Sequence, residues 1–160
     1  MKYTMSCLVF NRPGVLAKIA QSFAKENINI YSLAAGETEE EGKTRMTIVV
    51  DAEQDLMNKA ETRLKEIEEV IQVHDFQGSE LISRELLLIR IHIKAEHIPQ
   101  ILQIAELFNA QVIAVSEMSM VLSLSAEEQR VNGMVRMLMP MGIQEMSRSG
   151  KLAVGSPEQE

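Results

Sequence analysis

From Tyr3 to Phe10 the chain alternates, with Tyr3, Met5, Cys7 and Val9 on one side, the period of two expected of a strand with one buried face. Asn11-Arg12-Pro13-Gly14 breaks the run. Pro13 fits the first turn of a following helix, in which Val15, Leu16, Ile19, Ala20 and Phe23 recur at helical spacing. Lys25-Glu26-Asn27 ends that helix, because Asn27 tolerates the left-handed backbone that a helix end often takes. Residues 28–35 then read as extended, the acidic, glycine-bounded residues 36–42 as a solvated hairpin connection, and residues 44–50 as a strand rich in β-branched side chains. Met57, Ala60, Leu64 and Ile67 mark one face of a second helix, and residues 70–76 form a last short strand. The order is β-α-β-β-α-β.

The second half repeats it. Leu87, Ile89, Ile91 and Ile93 share one face of a strand over residues 85–93, followed by a helix striped by Ile98, Ile101, Leu102, Ala105 and Phe108. Residues 112–115 form the next strand, Met118, Met120, Leu122 and Leu124 alternate with serines and Val121 in another, and Val131, Met134, Val135 and Leu138 stripe a final helix. A strand over residues 143–147 closes the unit. The expected class is therefore α+β: two ferredoxin-like units, residues 1–77 and 78–160, joined around residues 77–83, each an antiparallel sheet with two helices on one face. An apolar opposite face would favour packing against a second copy, so a homodimer or larger assembly is expected.

Composition narrows the function. The chain has 160 residues with 46% hydrophobic and only 4% aromatic, and its net charge is −7. That sign disfavours a surface that tracks phosphates, and the central strands carry aliphatics where an RNA-binding sheet of this topology would stack bases on aromatics; no nucleic-acid partner is expected. One cysteine permits no internal disulfide, and no stretch has the apolar length of a signal peptide core or a membrane span, so the chain reads as cytoplasmic with no membrane partner.

Catalytic constellations are not apparent. His74, His92 and His97 form no closely spaced ligand set, so no metal is expected. Cys7 lies on an alternating strand without a CxxC partner and reads as a small core residue. Phosphate-binding glycine loops and the G-x-S-x-G turn are absent. The acidic runs at residues 39–41 and at Glu66, Glu68 and Glu69 fall on a loop and a helix end, where solvated charge is the ordinary reading.

What remains is the junction Asn11-Arg12-Pro13-Gly14-Val15-Leu16. A strand ends, a glycine opens the turn, and the next helix presents unpaired N–H groups at its positive end, a setting that suits a carboxylate. Asn11 can both donate to and accept from a zwitterion. On the following strand Asn29, flanked by Ile28 and Ile30, can approach the strand-helix turn of a neighbouring subunit and satisfy a ligand's ammonium or carboxylate. The residues alone fit equally well a turn shaped by Pro13 and Gly14 and an asparagine that serves nearby backbone.

Asn11-Arg12-Pro13-Gly14-Val15-Leu16, Asn29-Ile30-Tyr31-Ser32-Leu33 and Arg45-Met46-Thr47-Ile48-Val49-Val50 together resemble the ACT domain of acetolactate synthase small subunits. Arg84-Glu85-Leu86, Phe108-Asn109-Ala110 leading to Val115-Ser116, Pro140-Met141-Gly142-Ile143-Gln144-Glu145 and Arg148-Ser149-Gly150 are similar to that family's C-terminal domain, so the likeness runs nearly the whole chain in order. It departs at Glu26-Asn27, where the family commonly has Arg-Gly, at Ile28 in place of an aromatic, at Ala114 in place of Asp, and at Leu124-Ser125-Ala126-Glu127 in place of a Thr-Gly end. The resemblance implies a non-catalytic regulatory subunit with an ACT domain over residues 1–77. It carries no cofactor of its own and binds a catalytic large subunit that uses thiamine diphosphate, Mg and FAD. The implied role is to raise that partner's activity and to confer feedback inhibition by valine or another branched-chain amino acid. Carried over, the effector contacts fall on Asn11 and Gly14 of one subunit and Asn29 of the other, with Arg12, Pro13, Val15 and Ile30 shaping the pocket. A free-standing amino-acid sensor with the same ACT fold is the alternative. A small acyl-phosphate hydrolase on this scaffold, with Arg12 as its anion-binding residue, is a further one.

Overall fold

Strand β1 (Lys2–Phe10) buries Tyr3, Met5, Cys7 and Val9 on the side that meets the helices, as the alternation predicts, but Thr4 and Ser6 on its other side are buried as well, so the strand has two covered faces and not one. The computed structural model describes residues 1–76 and 81–157. After β1 come α1 (Val15–Lys25), β2 (Ile30–Glu37), β3 (Lys43–Asp51), α2 (Gln54–Lys65) and β4 (Val70–Phe76). Then follow β5 (Leu81–His92), α3 (Ile98–Phe108), β6 (Gln111–Val115), β7 (Ser119–Ala126), α4 (Glu128–Leu138), β8 (Ile143–Arg148) and β9 (Leu152–Gly155). Residues 77–80, where the join between the two halves was expected, lie outside the described residues, and residues 81–83 already belong to β5.

The chain divides into two compact units, Met1–Ile82 with Lys151–Glu160, and Ser83–Gly150. The first has an antiparallel sheet ordered β2-β3-β1-β4, and the second repeats that order as β6-β7-β5-β8. Both are ferredoxin-like, as expected. The repeat extends to irregularities: the register shifts at Leu8/Val9 against β4 and at Arg90/Ile91 against β8, and again near the start of each second strand, at Ile30/Ser32 and at Val112/Ala114.

Each core lies between a sheet and its two helices. In the first unit Val15, Ile19 and Phe23 of α1 and Met57, Ala60 and Leu64 of α2 close over β1 and β3; in the second, Ile101, Ile104 and Ala105 of α3 and Val131, Met134 and Leu138 of α4 close over β5 and β7. Burying each of the Val, Ile, Leu, Met and Phe side chains among them contributes about 1.5–3 kcal/mol relative to leaving it in water, and each alanine less.

Several expectations are corrected. Pro13 is not in the first helical turn: Gly14 caps α1 with φ 85°, a left-handed backbone that no helical residue has, and so holds Pro13 outside. Leu16 and Ala20 are exposed, because the stripe that meets the sheet is the narrower Val15, Ile19, Phe23 row; Ser22 shares it, its hydroxyl donating to the Lys18 carbonyl at 3.1 Å. In α3 Ile104 is buried and Leu102 exposed, and Met118 precedes β7 in the turn. The face of the first sheet turned from its helices is mixed and not simply apolar: Thr4, Ser6 and Thr47 are buried there beside Val49. Part of its cover is β9, an unforeseen strand, whose Ala153 is 5% exposed and donates its N–H to Thr47 Oγ1 at 3.3 Å.

Candidate functional site

The turn between β1 and α1 is held by backbone. Phe10 N–H donates to the Glu69 carbonyl at 2.8 Å, Asn11 N–H to the Gly42 carbonyl of the β2-β3 connection at 2.8 Å, and Arg12 N–H to the Phe10 carbonyl at 2.9 Å. The chain then swings through Gly14 into α1, where Lys18 N–H reaches the Gly14 carbonyl at 3.1 Å. Glycine is required by its positive φ and not by crowding, since a Cβ placed on it would meet nothing within 4 Å. Glycine also offers no side-chain cap, and the first turn of α1 carries no acidic residue, whereas those of α2 and α4 hold Asp55 and Glu128. The positive end of α1, with its orphan N–H groups, has no acidic side chain in its own first turn to offset it.

Asn11, Arg12, Pro13 and Gly14 are exposed and Val15 is buried beneath them. The Asn11 carboxamide makes no hydrogen bond among the described residues. Arg12 lies over the Phe10 ring, 5.3 Å from its centroid. The junction of the second unit has no such turn: a short 3₁₀ segment leads into α3, and Pro99 sits inside its first turn.

Asn29 is exposed and Ile30 half-buried at the start of β2. In register, Ile30 lies beside Val50, which lies beside Tyr3, whereas the turn follows Phe10 at the other end of β1. Seven residues of strand separate the two places, roughly 23 Å. The fold thus gathers Asn11, Arg12, Pro13, Gly14 and Val15 at one end of the sheet and Asn29 and Ile30 at the other, and one chain does not bring them together.

The remaining candidates have structural surroundings. Burial, and secondarily the charge of Glu61, pushes the Cys7 thiol up to about 12, so it is neither thiolate nor nucleophile near neutrality. Among the described residues no three His, Cys, Asp or Glu side chains lie close enough to hold a metal ion. Glu69, expected to be solvated, is buried at 6% exposure and bonded to Lys18 Nζ at 2.6 Å. That hydrogen bond, with one from its own backbone and the charges of Lys18 and Arg12, holds its carboxyl below the usual range. In the second unit, buried Glu85 takes a bidentate pair from the Arg148 guanidinium, with Nη2 to Oε2 at 2.9 Å, and Arg148 Nη1 donates to Asn132 Oδ1 at 2.8 Å. Sequence reasoning missed this clamp, although Glu85 shares the inward parity of Leu87, Ile89 and Ile91, which was its one visible signal.

Residues 5–72 match the model of the AHAS small subunit-like ACT domain, and residues 84–157 match that of the small subunit of acetolactate synthase. A probable acetolactate synthase small subunit of Archaeoglobus fulgidus is 35% identical over 154 residues, 96% of each chain. The chain belongs to the acetolactate synthase small-subunit family. Another relative, the acetolactate synthase small subunit of Mycolicibacterium smegmatis, is 35% identical over 95% of this chain and 89% of its own length. The crystal structure of the acetolactate synthase small subunit from Thermotoga maritima aligns with a TM-score of 0.90 at 27% identity, covering 98% of both chains. Within the family's ACT region fall the turn Asn11–Val15, Asn29 and Ile30; within its C-terminal region fall Glu85, Asn132 and Arg148. Among the described residues no helix is long and apolar enough to cross a membrane.

Proposed function

We propose that the chain is a non-catalytic regulatory subunit that raises the activity of an acetolactate synthase catalytic subunit and makes it inhibitable by valine, the thiamine diphosphate, Mg and FAD all residing on that partner. The effector is a branched-chain amino acid held at the seam of a homodimer. Its carboxylate meets the N–H groups at the start of α1 beside Gly14. Asn11 of the same subunit and Asn29 of the partner subunit bind its polar groups, while Arg12, Pro13, Val15 and Ile30 shape the pocket. The observation that carries this reading is the uncapped, glycine-opened start of α1, lying at the sheet end opposite Asn29. A site made of both halves needs two chains, and a ligand at such a seam has unequal affinity for different arrangements of the two protomers, which is the requirement for it to act as a switch.

Reconstitution tests the role. Adding the purified chain to candidate catalytic subunits raises acetolactate formation, and valine then lowers it. No stimulation of any candidate, with valine binding retained, would favour a free-standing amino-acid sensor. Replacing Asn11 or Asn29 with alanine raises the valine concentration needed for inhibition by about tenfold or more, as expected for a lost hydrogen bond to a charged group, while stimulation without valine persists.

A further inference from the structure

The segment Arg45-Met46-Thr47 has no part in the effector site. Strand alternation sends Met46, Ile48 and Val50 into the helix-covered core and places Arg45 and Thr47 on the other face of the sheet. In register, Thr47, Ser6 and His74 form one cross-strand row and Arg45, Leu8 and Gln72 the next. The C-terminal strand β9 docks on this face through the Ala153 to Thr47 hydrogen bond, and residues 153–155 wall a cleft of about 390 Å³ with Ser6, Arg45, Gln72, His74 and Phe76 as the rest of its lining.

That lining is chemically one-sided. The chain has 23 acidic against 16 basic residues, yet among the described residues no carboxylate lines the cleft. Arg45 Nη1 donates to Ser6 Oγ at 3.1 Å, and the guanidinium enters no ion pair among the described residues, so the rest of its planar fork of donors is uncommitted. Ser6, 3% exposed, anchors the guanidinium from the sheet. Gln72 contributes a carboxamide, and the His74 ring is set edge-on against Phe76, with centroids 4.7 Å apart. A cationic fork with additional donors and, among the described residues, no competing anion matches a small oxyanion.

We infer that this cleft binds a small oxyanion, a carboxylate or a phosphate, on Arg45, and that the bound anion holds the C-terminal strand against the first unit's sheet. The inference does not depend on the effector reading, because the two sites share no residue.

The test is an amide-resolved titration of the isotope-labelled full chain with inorganic phosphate and, separately, with pyruvate, at constant ionic strength. Saturable shifts at Ser6, Thr47 and residues 153–155 are expected with at least one. Response to phosphate alone or to pyruvate alone identifies the source, and response to both identifies a general oxyanion cleft. Arg45→Gln weakens binding about tenfold or more and Arg45→Lys less, with valine binding unchanged in both. Amide exchange at Ala153 slows when the anion is bound. The inference is overturned by saturation with neither anion, by shifts centred elsewhere, by equal affinity in Arg45→Gln, or by unaltered exchange at Ala153.

Discussion

Gly14 shows how much one backbone angle can carry. With φ at 85° and open space around the missing Cβ, a substitution there meets strain and no clash. Gly14→Ala is expected to cost about 1–2 kcal/mol of stability in denaturant unfolding, and Gly14→Asn less, because asparagine tolerates the left-handed region. Both side chains would also stand at the α1 entrance, so both weaken valine binding in calorimetry. Glu69 gives a pH signature. Its pKa is lowered on folding, so the stability it contributes is present above the unfolded value, 4.5, and is lost as pH falls through the lower folded value. Stability curves of Glu69→Gln are therefore flatter than those of the parent below pH 4.5, and equal slopes would contradict the Lys18 pairing. Sequence reading found Gly14 because a glycine between a strand and a helix is a local signal; it assigned Glu69 to solvent because the partner that buries it, Lys18, lies 51 positions away.

At the scale of elements, the two units end their first helices identically. Asn27 and Asn109 both have φ 56°, and each helix closes with paired bonds: Asn27 N–H to Ala24 and Ile28 N–H to Phe23, then Asn109 N–H to Glu106 and Ala110 N–H to Ala105. Replacing either asparagine with glycine is expected to be neutral or slightly stabilising, and with alanine to cost about 1 kcal/mol in unfolding experiments. The Glu85 clamp is stiffer. Glu85→Ala leaves the Arg148 guanidinium part-buried without its carboxylate and costs roughly 2–3 kcal/mol, read from the denaturant midpoint. Strands and helices were legible because their signals are periodic: Val70–Phe76 appears in the structure as expected, and Leu87, Ile89 and Ile91 face inward. The four-residue β9 was not, since so short a run as Leu152-Ala153-Val154 has no period of its own and depends on distant partners, its pairing with β5 and the Thr47 hydroxyl 106 positions earlier.

For the whole molecule, the sheet order has the largest consequence. Because β3 lies between β1 and β2 and is antiparallel to both, the start of β2 and the end of β1 fall at opposite ends of the first unit's sheet. The two-unit organisation was readable from the repeated element order, whereas the separation of Asn29 from Asn11 depends on strand register. A shared site makes a prediction no single-chain site can make. In the proposed homodimer, chains carrying Asn11→Ala would form dimers with two damaged sites, as would chains carrying Asn29→Ala, but a mixed dimer would contain one site with both defects and one with neither. The decisive measurement is a valine titration by calorimetry on each variant and on the two unfolded and refolded together. The account predicts little heat from either variant alone and recovery of about a quarter of the parental sites in the mixture. A mixture as silent as its components, from properly folded dimers, would contradict a site shared between two copies.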